Sequence, residues 1–194
     1  MDPTRITEGL AFALHAHDGQ TRKGTTVPYI AHPLGVASLV MEAGGTDDEV
    51  VAALLHDAVE DGGEELIDPI RDAFGEGVLG IVLECSDAVV PKGADKPGWW
   101  ERKRSYIDRV ANESRGAVLV TTADKLHNAR AIEADLRAVG DEVFARFTAG
   151  REGALWYQRA ITEALEGNPH APRGMLDELG RTVEEIERLA GPSS

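Results

Sequence analysis

Apolar residues recur at helical spacing along nearly the whole chain. In "TDDEVVAALLHDAVEDGG", residues 46–63, Val51, Leu54, Leu55 and Ala58 line one stripe of an α-helix. Thr46 with Glu49 three residues on has capping-box spacing, and the Gly62–Gly63 pair ends the segment. "TRITEGLAFALHAHDG" reads as a helix with Thr4 as N-cap, stopping at Gly19. "GQTRKGTTVPYIAHP" is a polar loop broken by Gly and Pro, and "LGVASLVMEAGG" is a short helix. Helical segments follow around 64–74 and 76–87, and then "DAVVPKGADKPGWW" has no periodicity and reads as a loop.

"WERKRSYIDRVANE" resumes a helix, and "RGAVLVTTADKLHNARAIEADLRAVG" is a long one. Its "AVLV" has β-propensity, but the "ADKLHNARAIEADL" that follows favours helix. "GREGALWYQRAITEALEG" and "PRGMLDELGRTVEEIERLAG" supply two terminal helices, the last over about 173–191. Strands have almost nowhere to go. The expected architecture is all-α, a bundle-like single domain over 1–194, with the last helix either capping the bundle or making a dimer contact. Monomer and homodimer both stay open.

Composition narrows the partners. Hydrophobic residues make up 42% and charged residues 28%, as in ordinary globular proteins. The formal net charge of −14 argues against a nucleic-acid polymer, which a basic surface usually meets. A small anion can still bind where a few cations or a metal are focused in one cleft. No apolar run approaches the ~20 residues of a membrane span, and the N-terminus lacks a signal-peptide pattern. The single Cys85 fits a reducing compartment, so the expected location is cytoplasmic.

Three stretches carry candidate chemistry. In "LLHDAVEDGG", a helix places Glu60 over His56 and Asp61 over Asp57, either as a solvated acidic face or as a site. In "PYIAHP", His32 stands at a helix start before Pro33, which a first helical turn tolerates. In "TTADKLHNAR", Asp124 lies amid apolar residues, where a carboxylate needs a cation, a donor or a metal; Asn128 is one turn on. His32, His56, Asp57 and Asp124 together form a mixed nitrogen and oxygen donor set. It suits a first-row divalent ion such as Mn²⁺, Fe²⁺ or Zn²⁺ with positions open for water, and so chemistry on water.

The order His32, His56–Asp57, Asp124 is similar to the ligand pattern of HD-domain metal-dependent phosphohydrolases. More closely, "RKGTTVPYIAHP", "LLHDAVED", "SDAVVPKG…WERK" and "ADKLHNAR" resemble the successive motifs of RelA/SpoT-type (p)ppGpp hydrolase domains and of stand-alone small alarmone hydrolases, over about residues 8–165. The resemblance implies an HD-domain helical bundle in which those four residues hold one metal, Mn²⁺, with Fe²⁺, Zn²⁺ or Mg²⁺ as alternatives. It implies that Glu60 and Asp61 handle protons or orient the attacking water. Arg22, Lys23 and Asn128 would contact the nucleotide, and Lys103 and Arg104 the pyrophosphate. Tyr157 is expected as a core aromatic, and His15, His17, His127 and His170 as structural or surface residues.

The reaction implied is removal of the 3′-diphosphate of ppGpp or pppGpp, with no synthetase region. The long Trp-bearing loop and His127 depart from the pattern beside the pocket and leave base specificity open. The alternatives are an HD-type phosphohydrolase acting on another nucleotide ((p)ppApp, the NADPH 2′-phosphate, a nucleoside monophosphate or a cyclic nucleotide), or a non-catalytic metal-binding helical regulatory module.

Overall fold

The computed structural model describes residues 1–191, and among them every regular element is helical. The α-helices are α1 (Pro3–Ala16), α2 (Ala31–Glu42), α3 (Asp47–Leu55), α4 (Ala58–Gly62), α5 (Ile67–Cys85), α6 (Trp99–Val110), α7 (Arg115–Val139), α8 (Gly150–Glu166) and α9 (Arg173–Ala190). Short 3-10 turns cover Glu64–Leu66 and Gly140–Arg146. No helix is long and apolar enough to cross a membrane.

Helix α7 is the axis of the core. Every residue from Ala117 to Asp124 is buried, including the "AVLV" with strand propensity, so tertiary burial decides that segment in favour of helix. α7 packs against α2, α3, α5, α8 and α9. α9 buries Leu176, Leu179, Val183 and Ile186 along one stripe and lies on α7 and α8, so it closes the bundle.

Two local expectations are corrected. The first helix is capped by Asp2, not Thr4: Pro3 takes the first position, which needs no N–H, and the Asp2 carboxylate accepts from the Thr4 N–H at 2.9 Å. The segment from Thr46 is not one helix. Its capping box forms, but α3 stops at Leu55 and α4 starts at Ala58. The break has a local cause. The His56 Nδ1–H reaches back to the Ala53 carbonyl at 2.8 Å, competing for an oxygen of the helical ladder, and Asp57 adopts φ −95°, ψ −6°. The ladder resumes with Asp61 N–H donating to Asp57 O at 2.9 Å.

Gly75 marks a kink inside α5, at φ +86°, between the two segments anticipated there. Gly63 matters more for the site. It has φ +97°, and a Cβ there would stand 2.7 Å from the Lys92 backbone nitrogen. The close approach lets Glu64 N–H donate to Val90 O at 3.1 Å, which docks the 86–98 loop beside α4. α6 begins at Trp99, so both Trp99 and Trp100 belong to its first turn rather than to the loop.

Candidate active site

The start of α2, the α3–α4 break and the middle of α7 meet at one buried point. His32 Nε2 lies 3.1 Å from Asp124 Oδ1 and 3.5 Å from Asp57 Oδ2. His56 Nε2 lies 3.1 Å from Asp57 Oδ2 and 3.7 Å from Asp124 Oδ1. One ligand atom from each of His32, His56 and Asp124 falls within a 4.8 Å cluster. The consecutive His56 and Asp57, in the α3–α4 break, both reach that point, through Nε2 and Oδ2.

The donors fit a divalent cation. His56 gives its Nδ1–H to Ala53 O, so in the neutral ring that binds a metal Nε2 carries the lone pair; that atom is buried and has no hydrogen-bond partner. Two imidazoles and two carboxylates make the oxygen–nitrogen set that first-row dications favour. The four side chains also act on one another. Burial works against a charged His56, but Asp57 and Asp124 overcome it and hold its pKa well above the ordinary value. Burial likewise opposes charge on the two aspartates, yet His56 for Asp57, and Lys125 for Asp124, hold both well below the carboxylate range.

Further groups secure these side chains. Tyr29 donates its hydroxyl to Asp57 Oδ2 at 2.5 Å. Asp124 accepts from Lys125 Nζ and from Asn128 Nδ2, both at 2.5 Å. His32 Nδ1 lies 2.9 Å from His127 Nδ1. Burial, then the neighbouring His32 and Arg22, push the His127 pKa down to about 4, so this ring is neutral.

The acid pair occupies α4. Glu60 Oε1 lies 3.3 Å from Lys96 Nζ and 3.6 Å from Arg102, and Oε2 accepts from the Asp87 N–H at 3.4 Å. Burial and the nearby Asp87 raise its pKa. Asp61 keeps a solvent-facing edge, and its Oδ2 lies 3.9 Å from His17 Nδ1. Burial, with Asp57 and Glu60 nearby, raises its pKa to about 7. A carboxyl near 7 can hold or release a proton at neutral pH, as acid–base work requires.

The expected substrate contacts separate into groups. Arg22 donates to Asn128 Oδ1 at 2.7 Å and its guanidinium sits 5.9 Å over the Tyr29 ring, so both side chains join the cluster. Lys103 is held by Asp87 Oδ2 at 2.6 Å, on the Glu60 side. Lys23 instead bonds Thr148 Oγ1 at 3.2 Å on the exposed surface. Arg104 is exposed, with its guanidinium over the Trp100 ring at 5.5 Å. Tyr157 is buried between Lys103 and Lys125, whose ammonium groups lie 4.9 and 5.8 Å from its ring centroid.

Tyr29, Lys96, Arg102 and Lys125 are site neighbours to which the residue pattern gave no role, and His127, expected as a structural or surface residue, joins them. Four of them stand inside quoted motifs: Tyr29 in "PYIAHP", Arg102 in "WERK", and Lys125 and His127 in "ADKLHNAR". Except for Lys125, which bonds the adjacent Asp124, their partners lie far along the chain, so only the fold connects them. His17, expected to be structural or at the surface, is buried against Tyr29 with ring centroids 4.8 Å apart. His15 and His170 are exposed, as expected.

Comparison with known proteins places this geometry in context. The family model for the HD domain matches residues 9–155. The chain is 40% identical over 182 residues to guanosine-3′,5′-bis(diphosphate) 3′-pyrophosphohydrolase MESH1 of Xenopus tropicalis, covering 92% of this chain and 94% of that one. It is 33% identical over 196 residues to the bifunctional (p)ppGpp synthase/hydrolase SpoT of Escherichia coli K12, covering 96% of this chain and 26% of SpoT. A solved structure described as a metazoan ortholog of SpoT that hydrolyzes ppGpp superposes with a TM-score of 0.72 at 29% identity, covering 93% of this chain and 96% of that one.

Proposed function

The chain belongs to the HD-domain family, and from that premise we propose that it hydrolyses the 3′-diphosphate of ppGpp-like nucleotides, releasing pyrophosphate. In this reaction water supplies the oxygen that completes pyrophosphate, the bond from phosphorus to the ribose 3′ oxygen breaks, and a proton returns to that oxygen. The observation that carries the reading is the convergence of His32, His56, Asp57 and Asp124, with two carboxyls of raised pKa one turn away. These four residues would hold the ion, for which we propose Mn²⁺. A bound divalent ion supplies Lewis-acid polarisation of phosphate and a water easily deprotonated near neutral pH.

The protein's own groups do the rest. Asp61, with a pKa of about 7, takes or gives the proton, and Glu60, fixed between Lys96 and Arg102, orients the water and tempers the cations around it. Arg22 and Asn128 face the nucleotide, and Arg22 offers a planar guanidinium for a base or a phosphate. Lys103 and its neighbour Arg102 present positive charge to the diphosphate. This local cation group lets a chain of net charge −14 bind an anion.

The test is product analysis of Mn²⁺-loaded protein with ppGpp, ppApp and NADPH. Pyrophosphate and GDP from ppGpp support the reading. Orthophosphate as sole product, or turnover of NADPH alone, overturns it.

A further inference from the structure

We propose that His127 is a positioning residue, whose ring accepts the Nδ1–H of His32 and so aims the bare Nε2 of His32 at the metal point. The inference deepens the reading of His32 as a metal ligand and rests on it.

The two Nδ1 atoms are 2.9 Å apart, so one ring must carry the hydrogen between them. The choice has consequences at the other edge of His32. With the hydrogen on His32 Nδ1, its Nε2 presents a lone pair 3.1 Å from Asp124 Oδ1 and 3.5 Å from Asp57 Oδ2, as a cation site requires. With the hydrogen on His127 instead, a neutral His32 would place Nε2–H among the carboxylates and close the site to a cation.

The position of the His127 ring is dictated from a second side. Gly35 stands one turn after His32 on α2, and a Cβ added there would overlap Nε2 and Cδ2 of His127. The ring is thus seated between the bare backbone of α2 and the His32 ring, whose centroids are 4.9 Å apart. Glycine at 35 is needed for close approach rather than for any unusual φ. α7 therefore contributes to the centre twice, with Asp124 directly and His127 through His32.

This backing is neutral, and it matches the other imidazole. His56 gives its Nδ1–H to a carbonyl, also an uncharged acceptor. Both histidines are oriented without adding anionic charge beyond Asp57 and Asp124. Two carboxylates balance one dication, which leaves the centre receptive to a phosphate anion. A carboxylate in the place of His127 would bind metal more tightly at the expense of that anion.

The test is metal retention, read as Mn²⁺ dissociation under chelator challenge and as equilibrium Mn²⁺ affinity. His127→Phe keeps a ring but removes the acceptor, and metal affinity should fall about 10- to 100-fold. His127→Asn restores an acceptor oxygen near the Nδ1 position, and affinity should return to within about 3-fold of the parent chain. Unchanged affinity in His127→Phe overturns the proposal, as does an equal loss in both variants, which would indicate packing alone. His32→Ala is the control: full metal content there overturns the ligand reading itself, whereas loss there with none in His127→Phe overturns only this inference. Should the Phe variant fail to fold, long-range ¹H–¹⁵N spectra of the Zn²⁺-loaded parent decide. A proton on His32 Nδ1 and on His127 Nε2 supports the proposal, and a proton on His127 Nδ1 overturns it.

Discussion

Arg22 and Asn128, 106 positions apart, meet at 2.7 Å, and the Asn128 amide passes the contact on to Asp124 Oδ1 at 2.5 Å. A loop cation is thereby tied to the buried Asp124 carboxylate through one side-chain amide. The amide donates through nitrogen and accepts through oxygen, so its orientation is dictated by both neighbours.

Asn128→Ala should loosen Arg22 more than it disturbs the metal, because Asp124 keeps Lys125. A hydrogen bond to a charged group is worth about 1.5–3 kcal/mol. KM for the nucleotide should therefore rise at least about 10-fold, the change corresponding to about 1.4 kcal/mol. Metal content should stay near that of the parent chain. Steady-state kinetics with metal analysis on the same samples checks both; an unchanged KM would remove Arg22 and Asn128 from substrate binding.

His56→Ala and Asp57→Ala should each lose metal and activity together. Each removes one of the four donors that converge on the buried point. Elemental analysis after gel filtration is the measurement, and a full complement of metal in either variant counts against the assignment.

Glu60→Gln should retain metal and fold yet lose at least about 10²-fold in turnover, the lower end for acid–base catalysis. Asp61→Asn should lose a comparable factor. It should also remove the ionisation near pH 7 from the rate profile, since Asp61 is the carboxyl raised to about 7. A profile unchanged near neutrality in Asp61→Asn would assign that ionisation elsewhere.

Glu113 offers a test of stability away from the centre. It is 6% exposed and neither carboxylate oxygen has a hydrogen-bond partner, while the nearby Tyr106 and Thr121 hydroxyls engage each other at 3.1 Å. Burial, opposed in part by Lys125, raises its pKa from 4.5 to about 7. The folded chain thus binds more protons than the unfolded chain between those values. This group's effect is to lower stability as pH rises from about 4.5 to 7, flattening above. The full difference is on the order of 3 kcal/mol at 1.36 kcal/mol per pKa unit. Glu113→Gln should raise urea-unfolding stability at pH 8 by up to about that amount and leave pH 4.5 nearly unchanged. Equal effects at the two pH values would show that Glu113 is not the titrating group.

The helices themselves were readable because their causes are local. The Thr46–Glu49 box, the Gly75 kink and the stripes of α7 and α9 all arise from residues within a few positions of one another. The α3–α4 break was not readable, since the competition of the His56 ring for the Ala53 carbonyl changes no apolar period. Thr4 was misread as the cap because Asp2 and Pro3 together start the helix earlier.

By itself, then, the chain order supplied His32, His56, Asp57 and Asp124 as candidate cation donors, because imidazole and carboxylate carry that chemistry wherever they lie. Only tertiary structure decided that α2, the α3–α4 break and α7 bring those groups to one point. It also placed Tyr29 and His127 behind them, sent Arg104 to the surface and seated Lys103 beside Asp87. The physical reason is distance along the chain. Periodicity and capping act across one or two turns, whereas a site is held by contacts between segments that only a packed core brings together.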